Sequence, residues 1–304
     1  MSEGAPGRSA AAARRAEQLA ARLPPLLVAA ERVAATVAQG VHGRRRVGQG
    51  DSFWQFRPFL AGDPVQRIDW RQSAKGDRTF VRETEWEAAQ SVWLWRDASA
   101  GMRWRSDRRL PEKAERAELL TLALASLLLR GGERVALLGA GMRPVAGRTM
   151  IELLAEAVAR RGDPGALSGL PPMESLPRYG RVVLIGDFLS PLPDVQQAVA
   201  RLAQIPVSGH LLQVLDPAEA ALPFRGRIRF EGLGREGAAL IGKVEGIRGD
   251  YQAKLAAQQE GLRAIAAAAG WSFAAHLTDH PPETALMGLY LALAPDRAGR
   301  GRAA

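Results

Sequence analysis

Short apolar segments alternate with longer amphipathic ones from Ser91 to near the end of the chain. Strands are predicted at 91–95, 134–138, 181–186, 209–215 and 271–277. Helices are predicted at 112–130, 149–160, 193–204, 251–269 and 284–294, and the segments 227–230 and 238–241 suggest a hairpin. The run at 181–186 is continuously apolar, as central parallel strands are. This alternation predicts an α/β fold with a doubly wound, mostly parallel, Rossmann-like sheet.

The chain before Ser91 has a different character. Residues 41–90 are polar, aromatic and rich in glycine turns, which indicates a small β-rich subdomain. A helix is predicted at 24–40, with apolar residues at helical spacing, and its expected role is docking. The predicted organisation is a tail and docking helix at 1–40, the β-rich subdomain at 41–90, the α/β domain at 91–295 and a loose tail at 296–304.

The composition excludes several kinds of site and indicates which partners the charge would favour. The chain has no cysteine, which excludes a disulfide framework, thiolate catalysis and cysteine-ligated zinc. Its net charge is +9, and residues 1–110 hold 19 Lys and Arg against 12 Asp and Glu. A basic front half suits an acidic partner, nucleic acid or anionic lipid. A solvated surface explains the same charge.

The sequence contains no predicted membrane span. Its longest apolar run, 119–129, is well short of the roughly 20 residues that a spanning helix needs. The N-terminal segment lacks the pattern of a signal peptide. We therefore expect a cytoplasmic protein.

Two aspartates follow predicted strands at one edge of the sheet. Asp97 comes after the first strand of the α/β domain and Asp187 after the third. Ligands bind beyond the carboxyl ends of strands in such sheets. With Ser99 and Thr149, these oxygen donors could hold Mg²⁺. The alternative is that the two aspartates cap local turns.

Two other patterns carry less weight. Gly139-Ala140-Gly141 is followed by a turn and not by a helix, so a dinucleotide site is not expected. His276 and His280 lack a third strong ligand nearby, and we interpret them as ordinary polar residues.

Residues 48–102 resemble a bacterial family, the domain-of-unknown-function family 58, whose members carry a von Willebrand factor A-like domain. The resemblance rests on these segments: Gly50-Asp51-Ser52-Phe53, Arg57-Pro58-Phe59, Ala61-Gly62-Asp63-Pro64, Arg67-Ile68-Asp69-Trp70-Arg71, Ala74-Lys75, Val81-Arg82-Glu83 and Asp97-Ala98-Ser99. It implies a metal-ion-dependent adhesion site with Asp97, Ser99, Thr149 and Asp187 as ligands. Gly101 departs from the pattern, because a second ligand serine is expected there, and we expect Mg²⁺ binding to be weaker for it.

The resemblance also implies a partner, an AAA+ ATPase of the MoxR type. The residues expected to bind it come from the family-like motif: Asp63, Arg67, Asp69, Trp70 and Arg71. Arginine and tryptophan are enriched at interface hot spots. In the competing interpretation, this aromatic and basic cluster fixes the small subdomain onto the sheet.

Three function classes follow. The first is a non-enzymatic adaptor of such an ATPase, with or without Mg²⁺ at the sheet edge. The alternative is nucleic-acid binding through the basic front half, notably Arg44, Arg45 and Arg46. The third is an Mg²⁺-dependent hydrolase with Asp97 as nucleophile. It is disfavoured because position 99 is serine and the sequence assigns no lysine to the site.

Overall fold

A computed structural model of the chain describes residues 25–38, 53–59, 68–76, 78–84, 90–147, 149–159, 169–233 and 237–293. The chain divides into two units. One is 39–90, and the other joins 1–38 to 91–304. The smaller unit covers nearly the same residues as the predicted β-rich subdomain, whereas the N-terminal helix belongs with the sheet.

The helix at 25–38, α1, docks on the larger unit as expected. It buries Ala30, Val33, Ala34 and Val37. Its Glu31 Oε1 accepts a hydrogen bond of 2.6 Å from Ser126 Oγ. Apolar residues at helical spacing therefore correctly predicted a packed face.

The smaller unit is built on an antiparallel strand pair. Strand β1 (Phe53–Pro58) pairs with β2 (Phe80–Thr84), and a short helix, α2 (Trp70–Ser73), lies between them in the chain. Asp69 is the N-cap of α2, and its Oδ1 accepts from Gln72 N at 2.8 Å. A capping carboxylate satisfies a backbone N–H that the first turn leaves free.

The larger unit contains a sheet of parallel strands. They are β3 (Ser91–Arg96), β4 (Arg134–Leu137), β5 (Arg181–Gly186), β6 (Ser208–Leu215) and, after the two hairpin strands β7 (Ile228–Glu231) and β8 (Ala238–Ile241), β9 (Ser272–Leu277). Among the described residues the strand order is β4-β3-β5-β6-β9. The predicted doubly wound parallel sheet is confirmed. The hairpin is also confirmed, as a separate two-stranded sheet.

Helices cover both faces of this sheet. They are α3 (Lys113–Arg130), α4 (Thr149–Ala159), α5 (Leu192–Leu202), α6 (Pro217–Ala221), α7 (Val244–Ala268) and α8 (Pro282–Ala292). Helix α3 packs against α4 and α8, whereas α5 packs against α7. Strands β3 to β6 are mostly buried between these layers, which explains why they read as apolar runs, whereas most residues of the edge strand β9 are half-buried or exposed.

One helix boundary differs clearly from the sequence expectation. Helix α7 begins at Val244, about two turns before the predicted Tyr251. Helix α4, in contrast, begins at Thr149 as predicted. In the part of the chain that the structure describes, no helix combines the length and apolar character needed to cross a bilayer.

Candidate functional site

The strand order reverses between β3 and β5. The chain runs from β3 outward to β4 and then returns to the other side of β3 to form β5. Crevices at such switch points, beyond the carboxyl ends of the strands, are where open α/β sheets bind ligands. The loops at this point begin with Asp97 and Asp187, so both residues lie at the edge that the sequence predicted.

Asp97 is fixed by its own loop and by the neighbouring strand. Its side chain is fully buried, with 0% exposure. The backbone N–H donates to Ile185 O at 2.8 Å, and Oδ1 accepts from Ser99 N at 2.7 Å. Oδ2 is buried and accepts no hydrogen bond from the residues that the structure describes. Burial, and next the carboxylate of Asp187, raise the pKa of Asp97 to about 6.

Asp187 has a different set of partners. Its Oδ2 accepts from Lys113 Nζ at 2.9 Å, and its Oδ1 accepts from Leu189 N at 3.2 Å. Its backbone oxygen accepts from Gln213 Nε2 on β6 at 2.9 Å. These bonds tie the loop after β5 to helix α3 and to strand β6.

Lys113 is the unexpected member of the site. It is the first residue of α3, is only 1% exposed, and donates a second bond, of 2.6 Å, to Glu219 Oε1. Burial alone would lower its pKa, but Asp187 and Glu219 hold the pKa above its usual range, so the side chain carries its charge. We call Asp97, Lys113, Asp187 and Glu219 the carboxylate–lysine cluster.

Sequence reasoning had given Lys113 no role at this edge, and the structure corrects that. Its position in the chain could have indicated that it pairs with carboxylates. A cation in the first turn of a helix opposes the helix dipole and is unfavourable unless carboxylates hold it. Glu219 had a signal too, because Asp216-Pro217-Ala218-Glu219 has the spacing of a capping box.

The end of β6 joins the cluster through that capping box. Glu219 Oε2 accepts from Asp216 N at 3.0 Å, while Asp216 Oδ2 accepts from Ser106 N at 2.9 Å. The cluster and its neighbour Asp216 thereby connect the loops that follow β3, β5 and β6. The carboxyl edge of the sheet is consequently a cross-linked surface.

Gly101 lies where the resemblance placed it. A Cβ at this position would lie 3.4 Å from Asp187 Oδ2 and 3.9 Å from Ser99 Oγ. These are ordinary contact distances, so a serine fits there and would face both groups. The glycine therefore removes a potential oxygen ligand from the site.

The remaining predicted site residues do not all meet here. Thr149 is exposed at the start of α4, and no hydrogen bond among the described residues links it to Asp97 or Asp187. Asp69 caps α2, whereas Trp70 is 67% exposed and Arg71 is exposed. Asp63 and Arg67 lie outside the described residues.

The donor set fits a divalent ion poorly. Mg²⁺ demands near-octahedral oxygen ligands at about 2.1 Å. Asp187 Oδ2, one of the expected ligands, already accepts from the Lys113 ammonium, and Gly101 supplies no hydroxyl. No group of three or more acidic, histidine or cysteine side chains placed to hold a metal occurs among the described residues. Mg²⁺ binding stays a prediction for titration to decide.

The fold and this edge define the class of protein: a Rossmann-like α/β domain with a carboxylate–lysine cluster at its switch point. Within that class the chain belongs to a family described as "Protein of unknown function DUF58", whose profile matches residues 55–261. The family resemblance seen in the sequence is confirmed.

Relatives of known sequence include the uncharacterized protein Rv1480 of Mycobacterium tuberculosis and the uncharacterized protein Mb1516 of Mycobacterium bovis. Each is 30% identical to the chain over 221 residues, which is 68% of this chain and 68% of the relative.

Solved structures with a detectable likeness come from Bacteroides. One is a conserved hypothetical protein, BatB, from Bacteroides thetaiotaomicron, with 15% identity and a TM-score of 0.39. Another is an aerotolerance-related membrane protein from Bacteroides fragilis, crystallised with multiple mutations to serines, with 17% identity and a TM-score of 0.41. Each likeness covers 67% of this chain and 98% of the other.

Proposed function

We propose that the protein is a non-enzymatic interaction module that presents the carboxyl edge of its sheet to a partner protein. The observation that carries the proposal is the burial of the cluster, together with the two ion pairs by which Lys113 joins Asp187 and Glu219. Asp97, Lys113 and Asp187 are 0%, 1% and 8% exposed. Their bonds hold three loops together, which suits groups that shape a surface.

The same burial argues against a reaction at this edge. A nucleophile or general base must come within hydrogen-bond distance of the substrate. Asp97 is fully buried, and Lys113 is hydrogen-bonded to two carboxylates. Position 99 holds a serine where the hydrolase hypothesis needs an aspartate. These features favour binding over hydrolysis.

The surface above the cluster has the composition of a docking site. Leu189, two residues after Asp187, is 44% exposed although its backbone N–H is held by that aspartate. The loop after β3, where Ser106 N donates to Asp216 Oδ2, adds the exposed Arg105, Arg108 and Arg109. Arg109 pairs with Asp107 at 2.7 Å and Arg105 lies 4.0 Å from Glu115. An exposed apolar side chain and arginines on loops of the same edge suit a partner surface with an apolar pocket and acidic groups.

An AAA+ ATPase of the MoxR type is the partner that we propose. The family resemblance suggests it, and the exposed indole of Trp70 in the family-like motif offers a second point of contact. The cytoplasmic location expected from the sequence likewise stays a prediction.

The test is a binding measurement with the MoxR-type ATPase of the same genome. We expect Leu189→Ala to raise the dissociation constant about tenfold, because truncating a hot-spot side chain costs more than about 1 kcal/mol of binding free energy. Biolayer interferometry on the purified proteins gives the constant. Leu291→Ala is the matched control, because Leu291 is a similarly exposed leucine in the last turn of α8, the helix end far from the carboxyl end of β9.

The control should bind like the wild type, with an unchanged melting temperature in both variants. Equal effects of the two substitutions would show that the carboxyl edge is not the binding surface. Absence of any complex with the ATPase would remove the proposed partner.

A further inference from the structure

We propose that the ammonium group of Lys113 is the resident cation of the carboxyl edge, so that this edge neither binds nor needs a divalent metal ion. The occupant of this site does not depend on which partner the edge binds.

The ammonium group of Lys113 lies between two carboxylates. Lys113 Nζ lies 2.9 Å from Asp187 Oδ2 and 2.6 Å from Glu219 Oε1. It therefore joins the end of β5 to the start of α6, as a metal ion bridging two carboxylates would. A metal ligated by Asp187 Oδ2 would have to displace the ammonium or share that oxygen with it.

The oxygens that Lys113 leaves free carry little charge. Asp97 Oδ2 accepts no hydrogen bond from the described residues, so it is the atom that a bound ion would take. The hydroxyls of Ser99 and Ser190 lie near it, since a Cβ on Gly169 would be 3.3 Å from Asp97 Oδ2, 3.7 Å from Ser99 Oγ and 3.5 Å from Ser190 Oγ, whereas Gly101 offers no hydroxyl. One carboxylate oxygen and two neutral hydroxyls give Mg²⁺ a single charged ligand, which is too little to hold the ion while Lys113 stays in place.

Separating Lys113 from its two carboxylates is unfavourable. Its side chain is 1% exposed, and its backbone begins α3, where its N–H donates to Trp104 O at 3.2 Å. Withdrawing the ammonium would leave Asp187 and Glu219 buried without a counter-charge, which is strongly unfavourable. Because this cation is part of the chain, a chelator cannot remove it as it would remove a metal ion.

The test removes the ammonium group of Lys113 by mutation and supplies Mg²⁺ in solution. We expect Lys113→Met to lower the melting temperature by about 10 °C, because the buried carboxylates lose their counter-charge. Adding about 10 mM MgCl₂ should then restore at least half of that loss, because an ion that binds only the folded state stabilises it. Scanning fluorimetry with and without EDTA measures both effects.

The controls are the wild type and Lys254→Met. Lys254 is an exposed lysine on α7 with no part in the cluster. Neither protein should respond to MgCl₂ or to EDTA. A melting temperature of the wild type that rises with MgCl₂ and no longer does so in Asp97→Asn would overturn the proposal, as would a Lys113→Met variant that Mg²⁺ fails to rescue.

A second variant keeps the proposal testable should Lys113→Met fail to fold. If a metal occupied this edge, Gly101→Ser would restore a ligand and tighten ion binding. If Lys113 occupies it, Gly101→Ser should leave the protein without detectable Mn²⁺ binding. Electron paramagnetic resonance of free Mn²⁺ in a titration decides between the two, and saturable binding that Gly101→Ser tightens would refute the lysine assignment.

Discussion

At the scale of single residues, Asp97 should make stability depend on pH in an unusual direction. Its pKa is about 6 in the folded protein and 3.8 in its ordinary state. Between these values the native state keeps a proton that the unfolded chain releases. The free energy of unfolding should therefore fall as pH rises through this window, by about 3 kcal/mol for a shift of about two pH units, and then level off.

Asp97→Asn isolates this effect, because asparagine cannot ionise. His210 and His276 have the opposite effect on the free energy of unfolding. Burial lowers the pKa of each to about 4, so the protein loses stability as the pH falls below 6.5. Their contribution cancels in the difference between variant and wild type. Urea unfolding in EDTA should show that difference moving by about 2 kcal/mol in favour of the variant between pH 4.5 and 7. A difference independent of pH would contradict the raised pKa.

The sequence predicted some residues of the cluster and missed others for a physical reason. Asp97, Ser99 and Asp187 follow strand ends, and strand ends of a parallel sheet meet at one edge by geometry. Lys113 reaches its partners across separations of 74 and 106 residues, from the start of a helix. Its place in the first turn of α3 indicates that carboxylates hold it, but only the packing of α3 onto the sheet determines which carboxylates these are.

At the scale of elements, strands β3 to β6 were predictable because burial on both faces makes them nearly continuous apolar runs. Helix α7 was predicted too short because its first turns contain Gly246 and Gly249, which disfavour a helix by about 1 kcal/mol each. Tertiary context overrides that local preference. The helix starts with Val244 buried, and Arg248 Nε donates to Leu222 O at 2.8 Å.

Strand β6 offers a sharp test of how closely the elements pack. A Cβ on Gly209 would lie only 2.1 Å from Trp271 Cδ2, and the indole is held because its Nε1 donates to Val207 O at 2.9 Å. Gly209→Ala should therefore reduce the free energy of unfolding by about 3 kcal/mol, since overpacking a tight contact displaces the backbone or the ring. Urea denaturation measures the change.

The matched control is Gly249→Ala in α7, where a Cβ would meet no atom within 4 Å. Alanine there should stabilise the protein by about 0.5–1 kcal/mol, because it relieves the helix of glycine's backbone entropy. The two substitutions add the same methyl group with opposite expected signs. A Gly209→Ala variant as stable as the wild type would mean that the indole does not lie against this strand.

At the scale of the whole molecule, the net charge is compatible with both binding functions that the sequence left open. The net charge is +9, and the N-terminal third carries most of it. The triplet Arg44, Arg45 and Arg46 lies outside the described residues, whereas the exposed arginines after β3 border the carboxyl edge. Charge alone would attract an acidic protein surface and nucleic acid alike.

Salt distinguishes them because binding to single-stranded nucleic acid releases counterions, with a slope of about −0.7 per phosphate neutralised. For an adaptor we expect no saturable binding of a mixed single-stranded oligonucleotide below about 100 μM at about 150 mM NaCl, under conditions where the ATPase complex persists. Fluorescence anisotropy across a salt series measures this. The triple variant Arg44→Ser, Arg45→Ser, Arg46→Ser is the control for the basic segment. Saturable oligonucleotide binding at low micromolar concentration, steeply weakened by salt and lost in the triple variant, would favour nucleic-acid binding because only that function requires those three charges.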